Sequence, residues 1–271
     1  MDFDASVVRL IAFSGALVIF SGWEYLAPRI DRNFSRKTRW FNNYILALLD
    51  IGILRVIFPI LPVGVALFAD QKGWGLINML NIPEVFAVII GVIVLDFVIY
   101  LQHVMFHSIP NLWRIHMMHH TDLDLDLSSG LRFHPIEHIL SMIIKISAVA
   151  LIGAPALAVL IFEIALNAIS MFNHSNLYLS IWLDRIIRSF IVTPDMHRTH
   201  HSVKIRETNS NFGFNLSWWD RILGTYKEKP DSGHENIKLG HALHREEDVL
   251  SLKNMLLIPF KGRIGNYPIN H

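Results

Sequence analysis

The sequence predicts an all-α integral membrane protein with about four transmembrane helices and a helical cap on the cytosolic face. Three observations carry that reading. Of 271 residues, 52% are hydrophobic and only 17% charged, against about 45–50% and about 25% in soluble domains. The apolar residues gather into blocks near the length of a bilayer crossing. The largest charged cluster, the basic residues at 29–39, falls between two blocks.

Residues 6–27 form the first block, with Trp23 and Tyr25 placed as interfacial anchors. Asp2 and Asp4 stand where a cleaved leader would carry basic residues, so this block is expected to stay. A basic loop follows, with Arg29, Arg32, Arg36, Lys37 and Arg39. The second block, 44–69, is interrupted by Asp50, Arg55, Pro59 and Pro62, and the third, 85–102, runs without a break into the first histidines. The fourth apolar region is split at Gly153–Ala154–Pro155 into 139–152 and 156–172. Each half is short for a full crossing, which predicts a hairpin or a pair of tilted helices. Beyond residue 175 the chain is mixed, and 177–192 reads as an amphipathic stretch in the membrane interface. The whole of 1–271 is expected to form one membrane-embedded domain, with N-terminal transmembrane helices in 1–80 and a tail from 227 to 271.

The basic loop at 29–39 places that side in the cytoplasm. Counting crossings from there, and taking 139–172 as a hairpin, brings every histidine cluster to the same face. A bacterial inner membrane and an endoplasmic reticulum are not distinguished.

Composition excludes several functions. A net charge of +1 gives no basic field for nucleic acid. The absence of cysteine removes disulfides, iron–sulfur clusters, thiolate-ligated haem and cysteine nucleophiles. No dinucleotide-binding glycine motif follows a strand, so neither a flavin nor a nicotinamide site is expected.

The histidines are the signal. Fifteen are present, and most fall into short motifs: His103 and His107 in "HVMFH", His116, His119 and His120 in "HMMHH", His134 and His138 in "HPIEH", His174 in "NHSN", and His197, His200 and His201 in "HRTHH". Residues three and four apart share a helical face, so each motif projects imidazoles in one direction. Rigid paired imidazoles suit metal ligation, and eight to eleven of them exceed the four ligands of one zinc ion. Two first-row ions would use them fully, although imidazole alone does not choose the metal. Neither HExxH nor the ExxH motifs of soluble di-iron bundles are present.

The order HxxxH, HxxHH, NHxN and HxxHH between apolar spans resembles the membrane-bound fatty acid hydroxylase and sterol desaturase superfamily. The stretches that carry it are "DFVIYLQHVMFHSIPNLWRIHMMHHTD", "LRFHPIEH", "TPDMHRTHHS" and "NFGFNLSWWDRILGTY", and the likeness makes 85–226 the catalytic region. It implies two iron ions that activate O2 to hydroxylate a lipid C–H bond, or to desaturate it. It implies as ligands His103, His107, His116, His119, His120, His197, His200 and His201, with His174 as a ninth and His134 and His138 as further candidates. Electrons are then expected from a separate ferredoxin or cytochrome with its reductase. A histidine-rich metal transporter and a silent zinc-binding membrane protein remain as readings of another class.

Other residues have weighed roles. Asp96 shares a helical face with His103 and is expected to orient it or to pair with Arg55. Glu137 and Asp195 are expected to orient neighbouring imidazoles or to cap helices. "DLDLD" at 122–126 lacks the glycine and glutamate of a calcium loop. "WWDRILGTY" is expected to pack the cap, and Met79, Met105, Met117 and Met118 to line a lipid channel or to pack. His234, His241, His244 and His271 match no motif and are expected to face solvent.

Overall fold

The computed structural model describes residues 5–269; Asp2, Asp4 and His271 lie outside them. The described residues are helical, with isolated bridges and no named strand. The helices are α1 (Ala5–Leu26), α2 (Arg36–Ile57), α3 (Pro62–Lys72), α4 (Leu76–Met79), α5 (Glu84–Ser108), α6 (Pro110–His120), α7 (Pro135–Ile152), α8 (Ala156–His174), α9 (Ile181–Ile187), α10 (Pro194–His200), α11 (Ile205–Thr208), α12 (Trp218–Ile222) and α13 (Leu252–Leu257). Five stretches are long and apolar enough to cross a bilayer: α1, the broken run Arg36–Met79, α5, α7 and α8. The chain is an integral membrane protein.

The helix ends follow local chemistry. Ser35 caps α2 by accepting from the Thr38 amide, and α2 stops at Phe58, before Pro59. Pro62 then restarts the chain as α3, its missing N–H falling where no helical acceptor exists. The fourth region is a hairpin. Its first half begins at Pro135, four residues upstream of the apolar run, so both arms reach crossing length. The turn uses Gly153 at φ 69°, packed against Gly75 at φ 92°. A Cβ at Gly75 would lie 2.1 Å from the Gly153 nitrogen, so that close approach requires glycine.

Inside the spans, α5, α7 and α8 pack around Leu95, Ile99, Val149, Val159 and Phe162. Side chains such as Leu10, Val18, Val56 and Val85 remain exposed on the outer helix faces, where lipid is the natural solvent. Charged side chains also occur at span depth. Arg9 on α1 lies 2.5 Å from Glu163 on α8, and Lys145 on α7 lies 3.5 Å from the other Glu163 oxygen.

Two expectations are corrected. Asp96 neither orients His103 nor pairs with Arg55, which is exposed on α2. One Asp96 oxygen accepts from the Trp219 indole at 2.8 Å and from the Leu216 amide at 3.2 Å. Trp219 also packs 4.7 Å from the Phe97 ring, so this part of "WWDRILGTY" flanks α5 rather than staying in the cap. Of the two alternatives for the methionines, Met117 and Met118 take packing: they are buried with Trp113, Leu250 and Met255 beneath the C-terminal segment.

The segment that follows α6 is tied to the spans by ions. Arg39, fully buried on α2, grips Asp122 with two hydrogen bonds of 2.9 and 2.8 Å and also reaches Asp126. Asp126 in turn caps the short turn at Leu127–Leu131. Glu24 at the end of α1 accepts from the Leu127 and Asn176 amides. Replacing Arg39 with Met leaves two buried carboxylates without their cation, a change that costs about 3–5 kcal/mol. Urea unfolding in detergent is expected to show that loss; a change below about 1 kcal/mol would mean the clamp is not structural.

Candidate metal centre

The corner between α5 and α6 starts the site. Ile109 is extended and Pro110 opens α6, so the chain turns within one residue of Ser108. "HVMFH" at the end of one helix thereby meets "HMMHH" along the next. His174 ends α8, and α10, capped by Thr193, adds His197, His200 and His201.

These nine histidines form two buried groups. His103, His107, His116, His120 and His200 form one; His119, His174, His197 and His201 form the other, with one ligand atom from each residue within 4.8 Å of the rest of its group. The groups adjoin: His120 stacks on His201 at 4.5 Å between ring centroids, and His116 lies 5.2 Å from His119.

The geometry assigns the ring protons. His103 Nδ1–H donates to the Phe212 carbonyl at 2.8 Å, and His119 Nδ1–H to the Arg132 carbonyl at 3.0 Å. His174 and His200 donate to the carbonyls of Ser170 and Ser210, each at 2.7 Å. His116 donates to Glu137 Oε1 at 2.7 Å, and His107 to Asn209 Oδ1 at 3.2 Å. With Nδ1 protonated, the Nε2 atom of a neutral imidazole carries a lone pair. Those lone pairs face one another: His103 and His116 at 3.2 Å, His119 and His174 at 3.2 Å. Neither member of such a pair has a proton to give. Two nitrogens about 2.0–2.1 Å from a shared ion, at angles between octahedral and tetrahedral, stand roughly 2.8–3.4 Å apart. The buried Nε2 atoms of His107, His120 and His200 also find no protein partner. The donor set fits two cations.

Burial supports the same protonation state. It pushes His119, His120, His197 and His201 far below the ordinary histidine range, with neighbouring imidazoles adding to the effect, and brings His200 to about 3. All are neutral at pH 7, the form that ligates metal.

Of the residues expected to support the ligands, Glu137 does touch one, through His116. Asp195 does not: it pairs with Arg29 and Arg198, and its imidazole neighbour is His234 at 3.8 Å. His134 and His138 lie outside both groups. His134 precedes Pro135 and uses Nδ1 to cap α7 through the Ile136 amide, while His138 faces α2 and pairs with Asp50 at 2.9 Å. His241, expected in solvent, is buried 4.2 Å from the Tyr267 ring, and burial brings it down to about 3. Sequence reasoning missed Asn209, and it missed the carbonyl acceptors, which side-chain motifs cannot reveal.

Around the ligands, Gly130 sits so close to α8 that a Cβ would meet the Ser170 carbonyl at 2.7 Å. Phe133 stacks on His119 at 4.3 Å. Phe214 packs 5.4 Å from His103 and also touches the core between the spans. These two rings are 6.4 Å apart.

Comparison with known proteins adds an independent line. The signature of the fatty acid hydroxylase family matches residues 88–225. The chain is 34% identical over 156 residues to the ornithine lipid hydroxylase OlsE of Rhizobium tropici, covering 57% of this chain and 46% of that protein. It is 31% identical over 139 residues to alkylglycerol monooxygenase of Xenopus tropicalis and 28% to that of Homo sapiens, covering 49% of this chain and 30% and 28% of those proteins. The chain thus spans less than half the length of these relatives. No solved structure matches.

Two outcomes follow from the geometry. Glu137→Ala should weaken metal binding about 10–100-fold, while His138→Ala should leave metal content unchanged; equal losses in both would remove Glu137 from its role. The second concerns acid. The unfolded chain protonates its histidines near pH 6.5, whereas the folded imidazoles stay neutral far below that. The unfolded state therefore binds more protons, and stability present above about pH 6.5 falls by about 1.4 kcal/mol per pH unit for each such group as pH drops. Urea midpoints of the metal-free protein should decline steeply from pH 6.5 toward 4, and a flat profile would contradict neutral burial.

Proposed function

This chain belongs to the fatty acid hydroxylase family, and on that premise we propose that it is a membrane-bound non-haem di-iron monooxygenase that hydroxylates a lipid C–H bond using O2 and external electrons. The observation that carries this reading is the set of buried, facing Nε2 lone pairs, whose ring protons are all directed away from the shared space. Two irons held by these histidines would activate O2, the oxidant that an unactivated C–H bond requires.

The chain's own residues do the rest. Phe212, Arg132, Ser170 and Ser210 fix the imidazole orientations through their carbonyls. Glu137 holds His116 with one oxygen, and its other oxygen, Oε2, is buried without a hydrogen-bond partner. That atom is placed to hold or pass a proton. Phe133 and Phe214 form an apolar lip on the side of the spans and keep bulk water from the reacting carbon. The lipid approaches from that side.

The names of the relatives support a polar-headgroup lipid as the substrate class. The basic residues at 29–39 support a cytoplasmic position for the histidine face.

The test is metal content in gently purified protein, followed by product analysis. About two irons per chain are expected, with a sharp fall in His119→Ala. Under heavy-isotope O2 and a chemical reductant, ornithine lipid or an alkylglycerol should gain one labelled oxygen. A chain that takes up no transition metal under iron-replete expression would overturn the shared-site reading. Two tightly held zincs with no oxygen incorporated would favour the silent zinc protein.

A further inference from the structure

The iron site described above is buried, and the chain carries no electron carrier of its own. Electrons must therefore cross protein, and the structure offers a packed aromatic connection that leads from the ligands to the C-terminal segment. Trp113 on α6 is fully buried. Its ring lies 4.8 Å from His107 and 5.2 Å from His120, both in the first ligand group. On its other side Tyr267 stacks on it at 5.3 Å, with planes 12° apart. Tyr267 then packs against His241, and His241 against the half-buried His244.

The segment that brings Tyr267 there is fastened to the site. The Trp113 indole donates to the Ile264 carbonyl at 3.3 Å, and the Ile269 amide donates to the His107 carbonyl at 3.2 Å. Asn209 binds both ends of the connection: its Oδ1 accepts from His107 and its Nδ2 donates to the Tyr267 carbonyl at 2.6 Å. The Tyr267 hydroxyl donates to Val203 and accepts from the Ala242 amide. An aromatic pair needing only burial would not require this many anchors to a ligand histidine.

The surface above this connection is basic. Lys261, Arg263, Lys238 and Arg206 are exposed around it. Lys261 and Arg263 flank Gly262, two residues from the carbonyl that holds Trp113. The Lys238 carbonyl accepts from the Val203 amide, and Arg206 is three residues beyond. The exposed acids of the neighbouring segments are Asp231 and Glu235, which pair with Lys227 and Arg29, and Glu246, Glu247 and Asp248. Such a face steers an acidic partner by charge.

We infer that the surface over Tyr267 is the docking face for an acidic one-electron carrier protein, and that electrons pass from it through Tyr267 and Trp113 to the metals at His107 and His120. In each transfer the reduced carrier loses one electron and one ferric ion gains it. The two rings conduct by contact, undergo no net change and release no proton. Two transfers supply one turnover. This inference rests on the di-iron reading and deepens it.

The chain contains no cysteine, so Asn266→Cys gives one exposed attachment point beside Tyr267 for a ruthenium photoreductant. The readout is the rate at which ferric protein turns ferrous after a flash, without lipid or O2. Tyr267→Leu should slow it severalfold and Tyr267→Phe, which keeps the ring, should not. Trp113→Leu gives the same comparison one step inward, but it opens a core position, so Tyr267 decides. Iron content and reduction by dithionite should stay at wild-type values in the Tyr267 variants. An unchanged flash rate in Tyr267→Leu would overturn the route. For the docking face, reduced plant-type ferredoxin is the probe. Lys261→Glu with Arg263→Glu should slow its reaction about tenfold at low salt while leaving the flash rate unchanged. Equal rates, or a wild-type protein that does not react with ferredoxin, would overturn the docking face. A protein that holds no iron reducible by dithionite would instead fail the di-iron reading itself.

Discussion

Nine imidazoles can share one dry volume only if they are uncharged and most of their protons are directed away from one another. Everything around the centre serves that constraint. Protonating any of these rings would place a cation among like neighbours in a medium that screens charge poorly. Pointing an Nδ1–H at nothing would leave a buried donor unmet. For four of the nine the chain meets both demands with backbone carbonyls, which accept hydrogen bonds and never titrate; His116 and His107 use Glu137 and Asn209, and the Nδ1 atoms of His120, His197 and His201 have no protein partner. Phe212, Ser210 and Arg132 supply them from irregular segments, where carbonyls are free of helical partners, and Ser170 supplies one from the last turn of α8.

That solution explains why so much of the surrounding structure is ionic. A loop that presents carbonyls with fixed aim must not drift, yet it lies beside apolar spans that offer it little grip. The Arg39 clamp on Asp122 and Asp126, the Glu24 bonds to Leu127 and Asn176, and the contact of Gly130 with Ser170 hold it from three directions. The same logic accounts for the short joint between α5 and α6. Ile109 and Pro110 fix the angle between two ligand-bearing helices with almost no chain to flex.

Much of this was legible in the sequence. Helical spacing revealed the histidine motifs, and apolar block length with the positions of prolines revealed the helices. Spacing alone could not say which way a motif points. "HPIEH" has the look of the other pairs, yet its first histidine caps α7 and its second turns toward Asp50, while the glutamate between them supports His116. The acids at 122–126 were rejected as a calcium loop, but their true partner, Arg39, stands 83 residues earlier for Asp122, beyond any local pattern. Asp96 was expected to face either a histidine or an arginine, and it faces the Leu216 amide and an indole. Contacts made between distant segments carry no signature in one sequence, and backbone acceptors carry none anywhere.

The pairing of Arg9 with Glu163 bears on how the protein is made. A glutamate in an apolar helix opposes insertion by roughly 2.5–3.5 kcal/mol when it arrives alone. Synthesis runs from the N-terminus, so α1 is in place, carrying the arginine, long before α8 is translated. Lys145 on α7 follows, also ahead of the glutamate, with the short Gly153–Ala154–Pro155 turn between their helices. Each cation thus precedes the anion it neutralises, and α8 reaches the bilayer with both partners waiting. The order of the charges along the chain serves as an assembly sequence for the bundle, and a rearranged gene that placed α8 first would strand its glutamate in lipid.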